Sequence, residues 1–136
     1  MFRFLDTKIV MTASAVILGA WGILLTFMPV EASGYLMLNN SPVQPVIMQL
    51  LGALYFALAM LNWMTRTSYI GGIYNRPIAI ANLSHFMIAG LALLKALIKD
   101  DFLPTIIWLL AAIYLIFAIL FAGIVFGSPV KNHKKV

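Results

Sequence analysis

Four apolar runs constrain this chain more than any other feature: Ile9–Met28, Val46–Met64, Ile78–Ile98 and Ile106–Phe126, with Lys95 the single charge inside them. At about 1.5 Å rise per residue, a helix of roughly 20 residues measures about 30 Å, the thickness of the hydrocarbon layer of a bilayer. Backbone in hydrocarbon must satisfy its own hydrogen bonds, so runs of this length are read as helices even where Val and Ile are frequent. Only 10% of the 136 residues are charged and 63% are hydrophobic, whereas a soluble domain carries roughly 25% charged residues. A water-soluble monomer is excluded. The expected fold is all-α, a single domain over residues 1–136 forming an integral membrane, antiparallel four-helix bundle. No cysteine is present, which removes disulfides, thiolate metal sites and cysteine nucleophiles.

The breaks between runs agree with this division. Pro29 ends the first, Pro42 and Pro45 precede the second, and Pro77 and Pro104 open the third and fourth, positions where the missing proline N–H removes no helical bond. Gly71-Gly72 marks a turn in the second linker, and Gly127-Ser128-Pro129 ends the last helix. The first run exceeds the roughly 7–15 residues of a signal-peptide core, so it is expected to persist as a span rather than be cleaved after Val30-Glu31-Ala32.

Basic residues set the orientation. Arg3, Lys8, Arg66, Arg76, Lys131, Lys134 and Lys135 fall on one side of the membrane and only Lys95 and Lys99 on the other. The positive-inside rule then places both termini in the cytoplasm, and a bacterial inner membrane is the expected location. The acidic residues fall the opposite way, with Glu31, Asp100 and Asp101 outside and Asp6 inside. The net charge of +5 is thus a topological signal plus a basic tail over residues 129–136 that favours anionic headgroups. Nucleic acid is not an expected partner, because no basic patch with interleaved aromatics lies outside the apolar runs.

Chemistry inside the spans falls to few residues. Thr12 and Ser14 lie near the cytoplasmic start of the first helix, Asn62 near the cytoplasmic end of the second, and Asn82, Ser84 and His85 in the first two turns of the third. Asn82 and His85 are three apart and share a face, with Ser84 rotated away. The expected cluster brings His85 and Asn82 to Asn62 and one of Thr12 or Ser14. It would suit a proton, a lipid headgroup or a quinone carbonyl; the competing reading is interhelical hydrogen bonding that only holds the bundle together. No metal site is expected, since no second His, Cys, Asp or Glu within a span can join His85, and His133 lies in the tail. Gln49 and Lys95 lie at similar depth near the outer face, with Lys95 expected to snorkel outward. No catalytic set such as Ser-His-Asp is found, because no acidic residue lies within a run.

Small residues recur at close-packing intervals, as Ala15 and Gly19, Ala53 and Ala57, Ala118 and Ala122, and Gly123 and Gly127, with Gly127 expected to cap its helix. Trp63 and Trp108 are expected at the headgroup level and Trp21 within the bundle. The longest linker, 31–44, contains Tyr35-Leu36-Met37-Leu38, expected to lie at the outer interface or to cover the bundle.

Short-linked spans, a proline-ended first helix, the small-residue stretch Leu51-Gly52-Ala53-Leu54-Tyr55-Phe56-Ala57-Leu58-Ala59 and the Arg76-Pro77 start of the third helix together resemble the DoxX-like small membrane proteins. Some of these are subunits of quinone-linked oxidoreductases, so the resemblance implies a four-helix fold and a quinone or lipid as ligand. It carries no site residue over. The leading expectation is a non-catalytic accessory or scaffold subunit of a larger membrane assembly, or a homo-oligomer, whose partners are membrane lipids and other integral membrane proteins or its own copies. A quinone- or lipid-binding protein with a pocket near His85 is the alternative, and a small transporter or channel the third. Absent intramembrane acids and broken helices count against transport.

Overall fold

The computed structural model describes residues 7–36, 41–68, 75–100 and 102–127. Among these residues are five helices: α1 (Thr7–Phe27), α2 (Pro29–Tyr35), α3 (Gln44–Thr65), α4 (Arg76–Lys99) and α5 (Thr105–Phe126). Four of them, α1, α3, α4 and α5, are long and apolar enough to cross a membrane. They coincide with the four apolar runs to within two residues at every boundary. Arg3, Asp6, Gly71-Gly72, Asp101 and the tail 129–136, for which the sequence carries expectations, lie outside the described residues.

Proline shapes the helix ends. Pro29 stands in the first turn of α2, Pro45 in that of α3 and Pro77 in that of α4, while Pro104 is the N-cap residue of α5. Proline also disfavours helical geometry in the residue before it. Met28 accordingly leaves the helical region at φ −128° and ψ 51° and separates α1 from α2. At the other end Gly127 is the C-cap of α5, its N–H donating to the Gly123 carbonyl over 2.9 Å.

α2 is a helical turn that the sequence reading assigned in part to linker. Ala32 and Ser33 are buried, and Leu36 packs with Ala32, Leu25 and Met48 against one end of α1 and α3. Of the segment expected at the interface, Tyr35 is exposed and Leu36 half-buried, and Met37 and Leu38 lie outside the described residues.

The long helices pack as two pairs. In the first, α1 and α3 meet through backbone: a Cβ placed on Gly22 would come within 2.7 Å of the Phe56 nitrogen, and one on Gly52 within 2.8 Å of the Gly22 oxygen. Glycine lets helix backbones approach this closely because no side chain stands between them. Gly19 faces Ala59 in the same seam, but Ala53 and Ala57 are exposed and play no part in it. The second pair, α4 and α5, meets at Gly90, against which Leu115 and Tyr114 close, and through an aromatic stack. Phe86 lies parallel to Phe117 at 4.9 Å and to Phe121 at 5.7 Å between ring centroids, within the range for favourable ring pairs.

One apolar core joins the pairs. It takes Val10, Met11 and Leu18 from α1, Ala59 from α3, Ala79 and Phe86 from α4, and Tyr114, Phe117, Ala118 and Phe121 from α5. The surface reverses the pattern of a soluble protein. Leu54 is 67% exposed and Ile88 70%, while Ser14, Asn62 and Asn82 are 0% exposed. Exposed apolar surface on this scale has hydrocarbon as its natural solvent, and the chain accordingly fits a multi-pass integral membrane protein.

Candidate functional site

Three helices contribute one buried polar node toward the end of the bundle away from α2. Asn62 on α3 and Asn82 on α4 exchange two hydrogen bonds, each side-chain amide N–H donating to the other's Oδ1 over 2.7 Å. The Asn62 amide also donates to Ser14 Oγ on α1 over 3.0 Å. The remaining capacity goes to the helices themselves: Ser14 Oγ donates to the Met11 carbonyl over 2.9 Å, and Asn82 Nδ2 to the Ile78 carbonyl over 3.0 Å. A fully buried polar group costs free energy unless it is bonded, and every member of this node has partners.

Of the expected cluster of His85, Asn82, Asn62 and one of Thr12 or Ser14, the structure brings together Asn82, Asn62 and Ser14. Thr12 stays out. Its hydroxyl donates to the Lys8 carbonyl one turn earlier over 2.7 Å, and it lines a shallow open depression with Lys8, Ile9 and Ala13. With about 100° per residue, Thr12 and Ser14 point roughly 200° apart, so a single helix face cannot present both.

His85 does not join the node either. Three residues turn the helix by about 300°, leaving Asn82 and His85 roughly 60° apart, and that difference sends them to different neighbours. Asn82 faces α1 and α3. His85 lies among rings, 5.4 Å from Tyr55 of α3, 5.1 Å from Phe86 and 5.5 Å from Tyr114 of α5. Its Nε2 is buried and has no hydrogen-bond partner. Tyr55 and Tyr114 each set a ring against the imidazole, so two phenol rings and one imidazole meet at mid-depth. The sequence reading did not single out these tyrosines. Their signal was a polar-tipped ring in the middle of two otherwise apolar runs, where a buried hydroxyl needs a partner.

Near the α2 end, Gln49 donates a long bond of 3.4 Å to the Thr26 carbonyl of α1. Lys95 is exposed, and no bond joins it to Gln49. Trp63 and Trp108 are exposed, and the Arg66 guanidinium sits 3.7 Å above the Trp63 ring, a cation–π contact next to the end of α3. Trp21 is half-buried against the Leu25, Ala32 and Met48 cluster. Among the described residues no three of His, Cys, Asp or Glu come together in a way that could hold a metal ion.

What this arrangement does chemically is tie helices together. The node cross-links α1, α3 and α4, and the phenol and imidazole cluster adds α5. Comparison with known proteins found no family, no curated protein and no solved structure that matches this chain.

Proposed function

We propose that this protein is a non-catalytic, multi-pass membrane protein that works through lateral contacts in the bilayer, as an accessory or scaffold subunit of a membrane assembly or as a homo-oligomer. The observation that carries this reading is the closure of its polar interior. Ser14, Asn62 and Asn82 are fully buried and bonded to one another or to their own helices, while the outward surface is apolar over all four long helices. A protein built this way offers its surroundings shape and apolar surface. The helices alternate in direction, with both termini on the cytoplasmic side of a bacterial inner membrane, as seven basic residues against two indicate. The test is mild solubilisation followed by mass measurement. A particle larger than one 15.0 kDa chain after subtraction of detergent and lipid is expected, and a strictly monomeric particle with nothing co-purifying overturns the proposal.

A second reading has one observation in its favour, the partnerless Nε2 of His85 beside two tyrosines. In that reading the aromatic cluster receives the carbonyl of a lipid or quinone, in keeping with the resemblance to DoxX-like proteins. Extraction of lipids and quinones from wild type and from His85→Ala decides it; an identical bound inventory removes this reading.

A further inference from the structure

The hydrogen bonds between the two helix pairs are not spread evenly along the bundle. At the end away from α2 the pairs are tied by the Asn62 and Asn82 exchange and share the core of Val10, Met11, Leu18, Ala59, Phe86, Phe117 and Phe121. At the α2 end the second core cluster consists of Leu25, Ala32 and Met48 with Trp21, Leu36 and Tyr55, and contains no residue of α4 or α5. The bonds of Gln49 and Thr26 there stay within the first pair. Among the described residues, the side-chain hydrogen bonds seen between the pairs are those of Asn62 and Asn82, and toward the α2 end His85 adds ring contact with Tyr55.

In water such an end would be held by the hydrophobic effect. In a bilayer it is not, because an acyl chain replaces an apolar side chain at little cost, whereas a broken hydrogen bond finds no substitute in hydrocarbon. The two ends of the same seam therefore differ in what it takes to part them. From this asymmetry we infer that the bundle is a pinned hinge: one body is α1 with α2 and α3, the other is α4 with α5, and they part at the α2 end while remaining clasped at Asn62 and Asn82. Each body is internally firm, the first through Gly22 against Gly52 and the second through the Phe86, Phe117 and Phe121 stack. His85 and its two tyrosines lie at the apex of the opening.

The chain has no cysteine, so paired cysteine substitutions carry spin labels at chosen sites only, and the distance distributions are measured in lipid nanodiscs. Met64 with Ile80 reports the clasped end, Ile47 with Ile98 the α2 end, and Ile98 with Leu109 the interior of the second body; all five side chains are exposed. The Ile47 and Ile98 pair is expected to give a broader distribution than either of the others. Equal widths for all three pairs overturn the hinge. A broad distribution for Ile98 with Leu109 also overturns it, because the motion then belongs to a fraying helix end. The double variant Asn62→Leu/Asn82→Leu is expected to broaden the Met64 and Ile80 distribution. An unchanged width in a folded double variant refutes the pin, and if that variant does not fold, the wild-type comparison decides alone.

Discussion

Replacing Asn62 by Leu removes the donor to Ser14 Oγ and both halves of the exchange with Asn82, three side-chain hydrogen bonds in all. Interhelical bonds in membranes average about 0.6 kcal/mol each, which gives about 2 kcal/mol for the three. Asn82 Oδ1 is left in the bundle without its donor, adding at least about 1 kcal/mol. The expected loss is therefore about 3 kcal/mol, roughly a hundredfold in the folding equilibrium. Asn82→Leu breaks the same exchange together with the bond to Ile78 and strands Asn62 Oδ1, so a similar loss of about 3 kcal/mol is expected.

The double variant distinguishes a reciprocal pair from two independent groups. With both amides gone, Ser14 retains its bond to Met11 and neither side chain is stranded. The double variant is expected to lose no more than either single variant, a departure from additivity of about 3 kcal/mol. Reversible unfolding in bicelles, followed through tryptophan fluorescence, measures all four corners of this cycle. If the losses simply add, reaching about 6 kcal/mol in the double variant, Asn62 and Asn82 do not act as a pair, and the reasoning about this node fails.

Other outcomes are equally specific. Gly52→Ala places a Cβ 2.8 Å from the Gly22 oxygen and the Thr26 nitrogen, both backbone atoms, and is expected to cost about 1–3 kcal/mol in the same assay; Gly34→Ala, which meets nothing within 4 Å, is expected to be neutral or stabilising. A Gly52→Ala variant as stable as wild type refutes the close approach of α1 and α3. His85→Phe replaces a buried, unpartnered nitrogen by a carbon in a pocket of rings, so stability is expected to hold or rise by about 1 kcal/mol, and a clear loss shows that the imidazole has a partner. Single cysteines at exposed Ser41 and Ser68 are expected to react with an impermeant maleimide from opposite faces of the membrane; reaction from the same face contradicts a crossing by α3.

Much of the architecture was legible in the chain because the solvent dictates it. Hydrocarbon accepts only backbone that bonds to itself, so the length of an apolar run fixes a helix, and a proline at its edge fixes where the helix starts or stops. This is why α1, α3, α4 and α5 fall within two residues of the runs, whereas α2, seven residues long, exists only because the ends of α1 and α3 give it something to pack on. The polar members Ser14, Asn62 and Asn82 were also readable, since a group that hydrocarbon will not solvate must turn inward. The meeting of Asn62 and Asn82 was expected too; which of Thr12 and Ser14 joins them, and that His85 does not, was not legible. Depth follows from sequence position, but the rotation of each helix about its axis does not, and rotation sent Thr12 to its own backbone and His85 into a nest of rings.

The small residues teach the same distinction. Repeated spacing pointed to Ala53 and Ala57, which face outward, while the closest contact is Gly22 against Gly52, one glycine from each of two helices. Spacing within one helix describes a stripe, and which stripe meets another is a property of the pair. The amino-acid sequence by itself therefore determined the medium, the number of spans and the need to hide a few polar groups, because each of these depends on local composition against a uniform solvent. Only the tertiary structure decided which hydrophilic side chains bond, which seam is backbone-tight and which end of the bundle lacks a polar tie, because these depend on the relative rotation of helices that lie far apart along the chain.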